Sequence, residues 1–123
     1  MILLNLLFAI ICLKNSSFTN ANAKKSVFGK LIEKVDTQFD CGIIKVGVVN
    51  KFVIVENNKE TEDTIKVVCI CPEGYGRDFF KVNNLYTLTI DNNLDSLKDC
   101  YILDKFPSQK LKVWVLQTIK KYG

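Results

Sequence analysis

Gly42-Ile43-Ile44-Lys45-Val46-Gly47-Val48-Val49-Asn50-Lys51-Phe52-Val53-Ile54-Val55-Glu56 is the stretch on which the fold class turns. It is dense in Val and Ile, whose branched side chains pack well on a pleated surface and lose rotamer freedom in a helix. It reads as one long strand, and Gly47 in its middle predicts a bulge or sharp bend. The polar run Asn57–Asp63 then turns the chain. Thr64–Cys71 follows with period-two alternation, placing Ile65, Val67, Cys69 and Cys71 on one face.

Outward from this pair the strand signals continue. Pro72–Arg77 is a loop with two glycines, and Asn83-Asn84 is a tight turn because Asn tolerates positive φ. Leu85–Ile90 is a strand with Tyr86, Leu88 and Ile90 on one face. Asp91–Asp99 is polar with room for one helical turn, Tyr101–Leu103 is a short strand, and Leu111–Ile119 closes the set. Val27–Phe39 fits helical i, i+4 spacing through Val27, Leu31, Val35 and Phe39, yet also fits an opening edge strand, and the balance leans only slightly to the strand. Five or six strands with at most one short helix predict a mainly β fold, a small OB-like closed barrel, in which closure removes exposed edges.

The 123 residues include no histidine, which excludes His-based triads, His–metal ligation and imidazole proton shuttles. Met1–Ala23 reads as an export signal: the apolar run Ile2–Leu13 is too short for a membrane span, and Ala21-Asn22-Ala23 is an A-x-A cleavage pattern. A lipoprotein reading through Cys12 is the lesser alternative, because Ala9-Ile10-Ile11 puts a bulky Ile where a small residue is wanted. Residues 24–123 then form one domain in the secreted or periplasmic space. That part carries 16 basic and 13 acidic residues, net +3, and Arg77 is its one arginine. Phosphate recognition favours the arginine fork, so a nucleic-acid partner is not expected.

Four cysteines remain, Cys41, Cys69, Cys71 and Cys100, and an even number in an exported chain predicts two disulfides. If Cys69 and Cys71 share a strand face they do not bond each other. The pairings left are 41–69 with 71–100, or 41–71 with 69–100, each closing a loop of roughly 30 residues worth ~3–4 kcal/mol.

The candidate site centres on Pro72–Phe80, which joins flexible glycines, three aromatics and the arginine. Tyr75 offers a stacking surface and Arg77 a charged fork. A second part is the C-terminal strand, where Lys110, Lys112, Trp114 and Leu116 alternate onto one face; Lys112 and Trp114 are its binding candidates. Asp91-Asn92-Asn93-Leu94-Asp95 has oxygen-ligand spacing but lacks the Gly and Glu that complete a calcium loop. No metal or other cofactor is expected, and no nucleophile has a recognisable base, so the residues point away from catalysis.

Val27–Val35, Gly42–Glu56, Thr64–Cys71 and then Phe79-Phe80-Lys81-Val82-Asn83-Asn84-Leu85-Tyr86-Thr87-Leu88 resemble a netrin-like OB barrel, the fold of tissue inhibitors of metalloproteases. Asn83 or Asn84 stands where that family places a turn glycine. Its inhibitors chelate the protease zinc through an N-terminal Cys, whereas the expected mature start here is Lys24-Lys25-Ser26, so the resemblance implies a fold and not an activity. Asp40-Cys41-Gly42 and Cys71-Pro72-Glu73 also resemble small uncharacterised bacterial exported proteins. The expectation is a non-catalytic module binding an extracytoplasmic protein or glycan. The alternative is a thiol-based metal-binding or redox protein using Cys69-Ile70-Cys71. The ligand and the oligomeric state stay open.

Overall fold

The computed structural model describes residues 23–36 and 40–122. Most of the expected export signal, Cys12 and Phe39 lie outside them. Among the described residues no helix is long and apolar enough to cross a membrane.

Among the described residues six strands carry the fold: β1 (Lys24–Glu33), β2 (Lys45–Glu56), β3 (Lys59–Ile70), β4 (Leu85–Asp91), β5 (Cys100–Leu103) and β6 (Val113–Lys121). Two short 3-10 turns, Pro72–Tyr75 and Asp95–Leu97, accompany them. The segment left open between helix and strand is strand through Glu33. The sheet order is β1-β4-β6-β3-β2-β5, and β1 also pairs with β2, so five strands are linked in a ring. β5 lies outside the ring, parallel to β2; β3 and β6 are parallel, and the other pairs antiparallel.

Alternation sorts the side chains. Val48, Phe52 and Ile54 of β2 and Ile65, Val67 and Cys69 of β3 meet Leu31, Tyr86, Leu88, Ile90, Trp114 and Leu116 in the main core. Fully burying each aliphatic or aromatic side chain contributes about 1.5–3 kcal/mol. Gly29 is required here: a Cβ would lie 2.9 Å from Leu88 Cδ1 and 3.2 Å from Phe52 Cδ2. The opposite face of β2 and β3 is also covered, by Phe106 on Val49 and Val68, with Leu97 and Ile102 packed against them. That is why β2 reads as a near-continuous apolar run.

This outer cover is held by a buried ion pair. Lys66, whose side chain is 5% exposed, reaches Asp104 at 3.1 Å and also donates to the Phe106 carbonyl. Lys51 bonds Glu33 at 2.8 Å and lies over the Phe106 ring.

Several expectations are corrected. The Asn57–Asp63 loop is a two-residue turn: Asn57 and Asn58 both take positive φ, 52° and 61°, and Glu56 pairs directly with Lys59. Positive φ at both central residues matches the right-handed strand twist, so a hairpin needs no longer loop. Gly47 is not a bulge, because it pairs in regular register with Ile70; the irregularity falls between Val53 and Val55. Its role is close approach, since a Cβ would stand 2.9 Å from Ile102 Cδ1 and 3.0 Å from Val68 Cγ1. Cys71 leaves the face of Cys69, because at φ 54° it turns the chain just after β3 ends. It bonds Cys41, closing a 30-residue separation, while among the described residues Cys69 and Cys100 are free thiols. One of the two expected bridges therefore forms, and 69–100 does not, because Cys69 lies in the core under Asn50 whereas Cys100 opens β5.

Candidate functional site

The Cys41–Cys71 bridge joins the β1–β2 connection to the segment after β3. Glu73 reinforces the junction by accepting the Cys41 backbone N–H at 3.3 Å. The chain from Pro72 to Phe80 is then anchored at its far end. The hydroxyl of buried Tyr86 donates to the Phe79 carbonyl at 2.7 Å and accepts the Lys81 N–H at 2.8 Å. Phe80 is buried, and Phe79 packs against the core.

Between these anchors lies a cleft of about 490 Å³, within the size range of small-ligand sites. Its lining is mainly polar and charged, with Lys34, Asp36, Asp40, Asn50, Glu73 and Arg77, while Pro72 and the buried Val48 and Phe80 are its apolar members. Asn50 occupies an inward position of β2, 2% exposed, and stays there because its groups are used. Its carbonyl oxygen accepts the Val35 N–H at 3.1 Å and its amide points to Cys69 Sγ at 3.7 Å. An inward polar residue without these partners would cost about 1–3 kcal/mol.

The two cations differ. Lys34 is committed, donating to the Phe80 carbonyl at 3.0 Å and pairing with Asp36 at 3.3 Å. Arg77 makes no ion pair among the described residues and is exposed at the cleft, so its fork is available. Asp36, Asp40 and Glu73 also line the cleft and give it mixed charge. Tyr75 is 39% exposed and stacks on Phe79 with ring centroids 5.2 Å apart. Its phenol is pushed up from the ordinary value, chiefly by burial.

The C-terminal half of the predicted site is elsewhere. Lys112 is exposed just before β6, and Trp114 sits near its start, whereas Lys121, at the other end of β6, lies over Phe79 and reaches the Asp78 carbonyl. Tyr75 and Arg77 therefore face one end of β6 and Lys112 and Trp114 the other. Nor does Trp114 present a stacking face: it is 7% exposed and belongs to the core, with Lys25 Nζ 4.6 Å from the ring centroid. Its indole N–H meets no acceptor among the described residues. Alternation placed Trp114 correctly on a strand, but it could not say which face is inside.

The Cys69-Ile70-Cys71 pair does not act as a dithiol, because Cys71 is bonded to Cys41. Burial pushes the Cys69 thiol up to about 12, against a smaller opposing effect of the Asn50 hydrogen bond; such a thiol is inert as nucleophile and ligand. The spacing at Asp91–Asp95 is spent on backbone turns: Asp91 accepts the Asn93 N–H, Asn93 the Asp95 N–H, and Asn92 the Ala23 N–H. Lys34, Asp40 and Asn50 were missed as site residues. The signal for Asn50 was present, as the one polar residue among inward Val46, Val48, Phe52 and Ile54.

No protein-family model matches the chain, and no curated protein and no solved structure matches it either.

Proposed function

We propose that the protein is an exported, non-catalytic binding module that takes a polypeptide segment in the cleft beside Arg77. The observation carrying this reading is an arginine without an ion pair among the described residues, on a cleft lined by side chains of both charges and by a few apolar ones. A guanidinium in such a place offers a planar, bidentate donor to a carboxylate, while Pro72 and the edge of Phe80 offer apolar contact to its neighbour. The acids lining the cleft disfavour a purely anionic ligand and suit a peptide of mixed charge. Export is supported by the A-x-A pattern at Ala21–Ala23 and by the Cys41–Cys71 bridge.

The proposal includes the fold: the ring of β1, β2, β3, β6 and β4 is an OB-like closed barrel of netrin type. Its support is the order in which the five strands pair and the parallel β3–β6 contact.

The test is selection from a displayed random-peptide library. The expected peptides place an acidic residue beside an apolar one. Arg77→Ala should weaken them by about tenfold or more with the fold intact, as loss of a charge-assisted hydrogen bond implies. Peptides that bind wild type and Arg77→Ala equally would refute the reading. So would a loss of several kcal/mol of stability in Arg77→Ala, which would make the loop structural.

A further inference from the structure

We infer that the outer face of β1, β4 and β6 is a second binding surface, for an anionic polysaccharide. Register fixes the layout. Phe28 pairs with Thr87, which pairs with Lys120; Ser26 pairs with Thr89, which pairs with Thr118; Lys30 pairs with Leu85. The Tyr122 N–H donates to the Leu85 carbonyl, which extends that last row onto the C-terminal residues. All these residues lie on the face opposite to inward Gly29, Leu31, Tyr86, Leu88 and Ile119. Neighbouring strands are ~4.8 Å apart and same-face residues ~6.8 Å apart along a strand, so the rows form a grid on the scale of sugar rings.

The chemistry of the grid is that of a polysaccharide site. Phe28 and Tyr122 are 47% and 59% exposed, and their rings meet edge to face at 5.4 Å. Aromatic faces of this kind receive the C–H face of a pyranose, and exposing two together is costly without a partner. The hydroxyls of Ser26, Thr89 and Thr118 form the next row, with Ser26 and Thr89 oxygens 3.3 Å apart. Each hydroxyl both donates and accepts, matching sugar hydroxyls that do the same.

Charge selects the anionic class. Lys24 and Lys120 make no ion pair among the described residues, and Lys30 is bonded to Glu60. Asp91 is the acid on the grid, beside Lys24, and its carboxylate accepts the Asn93 N–H. The face carries no arginine and its two rings are not coplanar, which favours sugars with spaced carboxylates or sulfates over stacked bases. The pairing of β1 with β2 runs only as far as Phe28 and Val55. Beyond it the two strands diverge and leave a cleft of about 360 Å³ bounded by Ser26, Phe28, Ile54 and Glu56. Glu56 on its rim turns the anionic groups of a chain crossing the grid away from this cleft and toward Lys24 and Lys120.

The test is affinity electrophoresis in gels holding polyuronate, dextran sulfate, neutral dextran or single-stranded oligo-dT. Retardation by at least one of the two anionic polysaccharides, and not by neutral dextran, is the expected result. Phe28→Ala and Tyr122→Ala should each weaken it about tenfold, with unchanged circular dichroism, since neither ring fills the core. Lys120→Gln should flatten its salt dependence. Four outcomes overturn the inference: no retardation by either anionic polymer, equal retardation by neutral dextran, tighter binding of oligo-dT, or loss on Arg77→Ala with none on Phe28→Ala and Tyr122→Ala.

Discussion

Removing Asp104 should destabilise the protein more than removing the lysine it pairs with. Lys66 is 5% exposed at its side chain and Asp104 28%, so the cation is the dry partner. Asp104→Asn leaves a buried ammonium held only by the Phe106 carbonyl and a neutral amide. Breaking a buried pair in this way costs about 3–5 kcal/mol, and the partial hydration of Asp104 places this case near the low end, about 3 kcal/mol. Lys66→Met removes the buried charge itself. Its stem keeps the packing, Asp104 rehydrates, and the loss is about 1 kcal/mol for the lost Lys66 hydrogen bond, since the Phe106 carbonyl still accepts the Gln109 N–H. For a domain of this size each kcal/mol moves Tm by about 4–8 °C. Asp104→Asn should then melt about 12–24 °C lower and Lys66→Met about 4–8 °C lower. Urea unfolding at neutral pH, followed by circular dichroism, measures both. Equal losses, or a greater loss for Lys66→Met, would show that the pair stabilises through attraction and not through the cost of an orphaned cation.

Two further outcomes follow from burial and close approach. Cys69 should resist alkylation in the native protein while Cys100 labels, read by intact mass. Because the folded thiol ionises near 12 and the unfolded one near 9, its contribution to stability is full below pH 9 and is lost as pH rises toward 12; Cys69→Ala should remove that part of the alkaline decline. Gly47→Ala should cost about 1–3 kcal/mol by pushing a Cβ into Ile102 and Val68, and Ile102→Val, which deletes the nearest atom, should recover part of it in urea unfolding.

The strands were legible because their period is written in the residues. Ile65, Val67 and Cys69, or Tyr86, Leu88 and Ile90, alternate so regularly that the inner face follows from local order alone. Positive-φ turns were legible at Asn83 for the same local reason, and missed in length at Asn57-Asn58 because the polar residues after them belong to an exposed strand. The candidate site was half legible. Tyr75 and Arg77 stood out by residue type, but their true neighbours, Lys34 and Asn50, come from a different part of the chain, and Lys112 and Trp114 lie at the far end of β6.

By itself, then, the sequence determined the mainly β class, the inward faces of β3 and β4 and the absence of any imidazole chemistry, since these depend on composition and on the two-residue repeat. Tertiary structure alone decided that Cys41 bonds Cys71, that Trp114 is inside, and that Arg77 shares a cleft with the β1–β2 connection. It also decided which outward residues are covered and which face is free. Val49 and Val68 lie beneath Phe106, while Phe28 and Tyr122 remain open. Covering depends on where the connections between strands come to rest, and alternation within a strand carries no information about that.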